Sequence, residues 1–237
     1  MALFRRIFWV AALGGLLAGL IATTIHQFGT VPLILQAEVY ETAAAAAPHQ
    51  HAADQPAHEH ATLSDHHHDT EAWEPEDGLE RTGYTALADV LTGIGFALLL
   101  VCAYVLSGRE IGWRQGLLWG LAGFAVFTLA PGLGLKPELP GTMAAPLLER
   151  QIWWFVTVAA TAAGLAMLVF GRRPWLAAVA VALLVLPHLY GAPQPEIEHS
   201  AAPALLREQF IQQAFAANLL FWAALGVLTG YFYQRFR

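Results

Sequence analysis

Cysteine and charge are what this chain has least of. Cys102 is its one cysteine, so no internal disulfide can form and cysteine usage says nothing about redox compartment. Only 13% of the 237 residues are charged, against roughly 25% in a soluble domain. Three chemical signatures are also missing. There is no G-x-x-x-x-G-K-[ST] phosphate cradle, no H-E-x-x-H pair and no C-x-x-C-H haem-attachment site. The chain therefore carries no recognisable catalytic engine, and we read it as not an enzyme. Its net charge of -6 argues against nucleic acid. That sum hides a segregation of the two signs, described below.

What is present is apolar: 57% of the residues are hydrophobic. A helix needs about 20 apolar residues to cross the hydrocarbon core. Six stretches come close: 7–25, 84–106, 113–133, 152–170, 175–190 and 210–232. The fifth is the weakest, with 16 residues. It rises about 24 Å and needs thinning of the bilayer or snorkelled ends to span. The expected fold is thus an all-α, polytopic helix bundle forming a single membrane domain over residues 1–237, with six spans, or five if the fifth fails.

Basic residues set the orientation. With the N-terminus in the cytoplasm, Arg5, Arg6, Arg109, Arg114, Arg172, Arg173, Arg235 and Arg237 lie inside; Arg81, Lys136, Arg150 and Arg207 lie outside. A five-span arrangement would place Arg235 and Arg237 outside, which the rule disfavours, so both termini are expected in the cytoplasm. The first stretch also resembles a signal peptide, with two arginines before an apolar core. At about 19 residues that core exceeds the usual 7–15, and no A-x-A site follows it directly, so a retained helix is the better reading.

Residues 43–80 are low in complexity, rich in Ala, His, Asp, Glu and Pro. Such a segment buries too little surface to offset its ordering entropy and reads as a disordered outer loop. Before it, residues 30–41 are apolar and then acidic, too short to span, and suited to lying in the outer interface or dipping back into the bundle.

All ten histidines fall on the outer side. Seven lie in the loop, as two H-x-H pairs and a triplet: His49, His51, His58, His60, His66, His67 and His68. Imidazole is the commonest ligand for divalent transition metals. With Asp54, Glu59, Asp65 and Asp69 interspersed, a flexible chain can wrap Co, Ni, Zn or Cu without fixed geometry. The bland alternative is a linker with a histidine bias. Of the others, His26 ends the first span, sharing a face with Gly15, Gly19 and Thr23. His188 lies near the end of the fifth span, and His199 is in the last outer loop. His26 and His188 are at similar depth and are candidates for one polar vestibule. A lone interfacial histidine is more often a satisfied helix-end residue.

Asp89 is the acid placed well inside a span, about 8 Å below the outer end of the second by the helical rise. Charge in lipid is costly and marks pathways. Thr85, Asp89 and Thr92 share a face; the alternative is an acid snorkelling to the interface. Asn218 is near the middle of the sixth span, with Gln212 and Gln213 above it, and either lines a path or bonds between helices. Glu38 and Glu41 are spaced to share one cation, or form a solvated edge. Arg150, Trp153 and Trp154 read as an interface anchor, and Glu149 beside them is ambiguous. Three G-x-x-x-G pairs, Gly15/Gly19, Gly116/Gly120 and Gly226/Gly230, permit close helix packing.

The stretches Ala130-Pro-Gly-Leu-Gly-Leu-Lys-Pro-Glu-Leu-Pro-Gly141, Arg150-Gln-Ile-Trp-Trp154 and Leu186-Pro-His-Leu-Tyr-Gly-Ala-Pro-Gln-Pro195 resemble the CbtA family, the proposed large membrane subunit of a cobalt transporter. So does Pro32-Leu-Ile-Leu-Gln-Ala-Glu-Val-Tyr-Glu41. The likeness runs over nearly the whole chain except the loop. It implies a bacterial inner membrane, cobalt supply for cobalamin synthesis, and a small one-span partner with a histidine-rich end. Two departures stand out: the family is described with five spans where charge placement here favours six, and its histidine-rich motif is associated with the small partner, whereas this chain has one of its own.

The resulting expectation is a subunit that moves Co²⁺, or a similar divalent ion, inward, with no resident cofactor. The loop collects metal. A vestibule of His26, Glu38, Glu41, His188 and Glu149 strips its water, and Asp89 and Asn218 line part of the route. The rivals are a transporter of Ni, Zn or Cu and a non-conducting metal-binding accessory or sensor. A membrane enzyme has least support.

Overall fold

A computed structural model describes residues 1–46, 75–197 and 199–236 of the chain. The seven loop histidines, from His49 to His68, lie outside the described residues. Among those described, the secondary structure is helical, with one isolated antiparallel bridge, Thr142 to Ser200.

The helices are α1 (Ala2–Phe28), α2 (Thr30–Ala46), α3 (Leu79–Ser107), α4 (Trp113–Phe124), a π segment (Ala125–Leu129), α5 (Ala130–Gly134), α6 (Leu147–Phe170), α7 (Pro174–Tyr190) and α8 (Ala204–Arg235). Among the described residues, five stretches are long and apolar enough to cross a membrane: α1, α3, the run from α4 through α5, α6 and α8. The sixth expected span, α7, has 17 residues and is shorter than these. It nevertheless returns the chain to the level where α6 begins. The Trp153 indole donates to the Pro187 carbonyl at 3.2 Å, pairing the start of α6 with the end of α7. Beyond α7, the Met143 amide donates to His199 O at 2.9 Å, joining the segment before α8 to the one before α6.

The two ends of the bundle are distinct. At one end, Arg6 donates through Nε to the Tyr233 carbonyl at 3.1 Å and stacks over the Tyr233 ring, so the two termini are neighbours. Arg109 lies over Phe170 at that end. At the other end, α2 packs on the segments that lead into α6 and α8 through a small core of Ala37, Leu139, Ala202, Leu206 and Phe210.

Residues 43–46 and 79–80, expected to be loop, are helical. The alanines after Glu41 are strong helix formers and extend α2, while Leu79 and Glu80 open α3. Residues 30–41, left between an interfacial and a re-entrant segment, form most of α2.

The main core joins α1, α3, α4 and α8, through Val10, Ala18, Val101, Tyr104, Trp222 and Leu225. Helices lacking a hydrophobic drive toward one another in lipid associate through close packing and hydrogen bonds. Two glycine seams supply the packing. Gly15 and Gly19 of α1 meet Gly93 and Val90 of α3: a Cβ on Gly19 would sit 2.5 Å from the Val90 Cα. Gly116 and Gly120 of α4 meet Gly226 and Gly230 of α8, where a Cβ on Gly116 would sit 2.8 Å from the Gly230 Cα. All three expected G-x-x-x-G pairs therefore line contacts. The π segment has a local cause as well. Pro131 has no amide to offer the preceding turn and its ring crowds it; just before it the ladder widens, with the Ala130 amide bonding back to Ala125 O.

Candidate functional site

The α1–α3 seam carries polar side chains above its glycines. In both helices Cβ atoms tilt toward the N-terminus. The helices are antiparallel, so Asp89 leans toward the end of α1 while Thr23 and His26 lean back toward it. Asp89 Oδ2 accepts from the Thr23 hydroxyl at 2.9 Å and lies 3.2 Å from His26 Nδ1. The Thr23 hydroxyl is also 3.0 Å from its own Gly19 carbonyl, so its single proton serves one acceptor at a time. Asp89 is 16% exposed and His26 27%. The carboxylate is thus satisfied within the bundle by α1.

Chemically, this is a carboxylate orienting an imidazole. When Nδ1–H donates to Asp89, the lone pair of His26 sits on Nε2. The same arrangement fixes tautomer and ring orientation at many metal-binding histidines and raises their basicity. Asp89 Oδ1 and His26 Nε2 make no hydrogen bond among the described residues.

Just beyond this node lies a second polar group. Arg81 of α3 clasps Glu38 of α2 with both terminal nitrogens and holds Asp77 at 2.9 Å. Thr82 approaches Gln27 at 3.5 Å. The clasp ties α2 to α3 and occupies the Glu38 carboxylate with a resident cation. Glu41 is exposed, with its side chain against Gly141.

The other candidates fall elsewhere. His188 of α7 is half-buried and packs edge-on against Trp153 of α6, with centroids 5.9 Å apart. It belongs to the α6–α7 hairpin, whereas His26 belongs to the α1–α3 pair. Glu149 is exposed at the start of α6. No group of three or more His, Cys, Asp or Glu among the described residues is placed to hold a metal ion. The five-residue vestibule is therefore not a ready-made ligand cluster: its members are distributed over α1, α2, α6 and α7. Thr92, expected to extend a polar stripe with Thr85 and Asp89, is exposed, and Thr85 bonds back to Arg81 O. The helix also starts earlier than the apolar run, at Leu79, so Asp89 is about 15 Å along it.

Asn218 lines a different feature, a lateral cavity of about 610 Å³ between the π segment, α6 and α8. Its amide donates to the Ala214 carbonyl at 2.9 Å, a bond within its own helix. Asp89 is not among the residues lining that cavity.

A family model described as "Probable cobalt transporter subunit (CbtA)" matches residues 4–234. The chain belongs to the CbtA family. The match spans the whole bundle, so all five long helices and the short α7 are family territory, and so is the node at Asp89. The family description makes this chain one subunit of a transporter, with a partner subunit and a membrane setting. No curated protein and no solved structure matches the chain.

Sequence reasoning singled out Asp89, His26 and the stripe containing Thr23, but did not join them. A signal was available: Gly19–Thr23 on α1 and Asp89–Gly93 on α3 are both i, i+4 steps, and antiparallel pairing of the two glycines brings the polar members together. Arg81 was counted only as an outer cation. Asp77 four residues earlier hinted at its pairing; nothing local pointed to Glu38.

Proposed function

We propose that this chain is the membrane subunit of a divalent transition-metal uptake system, with Co²⁺ as cargo, and that the Thr23–His26–Asp89 node is where the ion meets the bundle. The observation that carries the reading is the 3.2 Å approach of Asp89 to His26, inside an apolar helix pair. A carboxylate at this depth is costly without a role, and here it leaves an imidazole nitrogen oriented and free. The remaining ligands come from water, from the loop histidines or from the partner.

The loop from His49 to His68 acts as the outer collector, raising local ion concentration without forming the route. A small single-span subunit with a histidine-rich end is the partner. The arginine-rich end of the bundle, with both termini, faces the cytoplasm, and the node faces the periplasm of a cell inner membrane. Arg81 is a standing competitor for Glu38 at the entrance: an arriving dication must displace it to use that carboxylate. Inward movement of a dication is assisted by the membrane potential, about 4.6 kcal/mol for two charges across 100 mV.

Uptake of labelled Co²⁺ by proteoliposomes, with and without the partner subunit, tests the reading. Metal-dependent accumulation inside the vesicles is expected. Deleting residues 49–68 should slow uptake at low metal and leave it nearly intact at saturation. Metal bound by the protein with no accumulation under either condition would make this chain a non-conducting accessory.

A further inference from the structure

Of the four basic side chains at the node end of the bundle, two line one groove. The cavity of about 610 Å³ has Lys136 and Arg150 at its rim, with Glu138 between them. Arg150 is neutralised by Glu138 at 3.0 Å. Lys136 is exposed and has no partner among the described residues, so the rim carries one uncompensated positive charge.

The rest of the lining is of two kinds. Gln151, Thr128 and Asn218 are neutral polar residues. Phe127, Trp154, Phe155 and Phe215 form an aromatic wall. The groove opens sideways onto the apolar surface that lipid covers, where Leu147 is 67% exposed and Phe155 64%. Its volume is in the range of ligand sites, about 300–1,000 Å³. The π segment before Pro131 contributes Phe127 and Thr128 to its lining.

We propose that this groove is a binding site for one anionic phospholipid of the outer leaflet. An unpaired cation, neutral donors and an apolar wall in one groove match the phosphate, ester carbonyls and acyl chain of one lipid. Lys136 takes the phosphate as a charge-assisted hydrogen bond. Gln151 and Thr128 donate to the ester carbonyls, and one acyl chain lies on Phe155 and Phe215. Glu138, already held by Arg150, leaves no free anion for an ammonium headgroup, so a phosphate diester with an uncharged headgroup fits better than a zwitterionic one. A bound lipid here would wedge between α8 and the α6–α7 hairpin and steady that hairpin, whose packing on the bundle runs through the π segment and α5.

The test is native mass spectrometry of the full chain in detergent, titrated separately with phosphatidylglycerol, phosphatidylethanolamine and inorganic phosphate. Wild-type protein should hold one phosphatidylglycerol about tenfold more tightly than phosphatidylethanolamine, and inorganic phosphate should not bind. Lys136→Gln should weaken phosphatidylglycerol about tenfold, the loss of one charge-assisted contact. Lys136→Arg should retain it, and Arg207→Gln, a basic residue outside the groove, should bind as wild type. Equal affinity for the two lipids, binding of phosphate alone, or equal losses in Lys136→Gln and Arg207→Gln would each overturn the proposal. A photoreactive residue in place of Phe155, activated in native membranes, gives a second readout that needs no folded variant at Lys136. A phospholipid adduct supports the assignment, and a polypeptide adduct would make the groove a partner's helix site instead.

Discussion

The α1–α3 and α4–α8 seams are both built on glycine, and they use the contact differently. In the α4–α8 seam Gly116 and Gly120 face Gly226 and Gly230. Phe127, two turns along, stacks on Trp222 at 5.6 Å. Around these glycines the seam is closed by apolar and aromatic packing. In the α1–α3 seam the glycines give way, toward the C-terminal end of α1, to Thr23, His26 and Asp89. Backbone proximity brings α1 and α3 close enough for short side chains to bridge. The comparison teaches that a glycine pair by itself reports only packing; chemistry enters where a polar residue follows it at helical spacing on both helices.

The comparison breaks most severely if the packing seam is disturbed. Gly116→Leu forces a side chain against the α8 backbone, where neither helix can yield. Overpacking costs about 1–3 kcal/mol when neighbours can shift, and backbone contacts cannot. Loss of monodisperse protein in size-exclusion chromatography is expected. Gly95→Leu is the control, because a side chain at Gly95 meets nothing within 4 Å; it should purify as wild type.

A smaller effect, mainly on function, is expected in the other seam. Thr23→Val keeps the shape and removes a donor to Asp89. Thermal stability should fall by about 1 kcal/mol or less, whereas Co²⁺ uptake at matched abundance should drop severalfold. Uptake equal to wild type would make Thr23 a packing residue like its glycine neighbours.

The smallest effect on uptake is expected toward the end of the bundle that holds the termini. Tyr104 approaches Thr229 at 3.0 Å, linking α3 to α8, while Thr229 also bonds to Leu225 O at 2.6 Å. Tyr104→Phe therefore leaves Thr229 satisfied and should cost about 1 kcal/mol. Uptake should be unchanged, because this polar contact ties helices together away from the node.

The spans were legible in the sequence because lipid demands length and apolarity, and both are written locally. The three glycine pairs were legible as packing signals, but not which helix each meets, since that depends on antiparallel register. α2 was hard to read because its residues 30–46 run from apolar to acidic to alanine without a clean amphipathic period. Asp89 and His26 were each visible as residues out of place; the bond between them needs two helices 63 positions apart in sequence. Glu38 and Glu41 looked like a shared cation site because spacing cannot reveal that Arg81 already fills one of them. The groove at Asn218 is lined in part by Pro131 and the π segment. A proline in an apolar run signals a disturbed helix, but not which residues of other helices meet it.

The central claim is that the charge at Asp89 serves the ion and not the fold. Asp89→Asn keeps the side chain's shape and can still accept from Thr23 and His26, so it removes the charge with little else. Labelled Co²⁺ uptake should be measured in proteoliposomes holding equal amounts of folded wild-type and variant protein, at saturating metal. The account predicts that the variant inserts and resists heat at least as well as wild type, because a carboxylate has been removed from an apolar helix pair, and that its uptake falls tenfold or more. Uptake at the wild-type rate by a fully folded Asp89→Asn protein would contradict it.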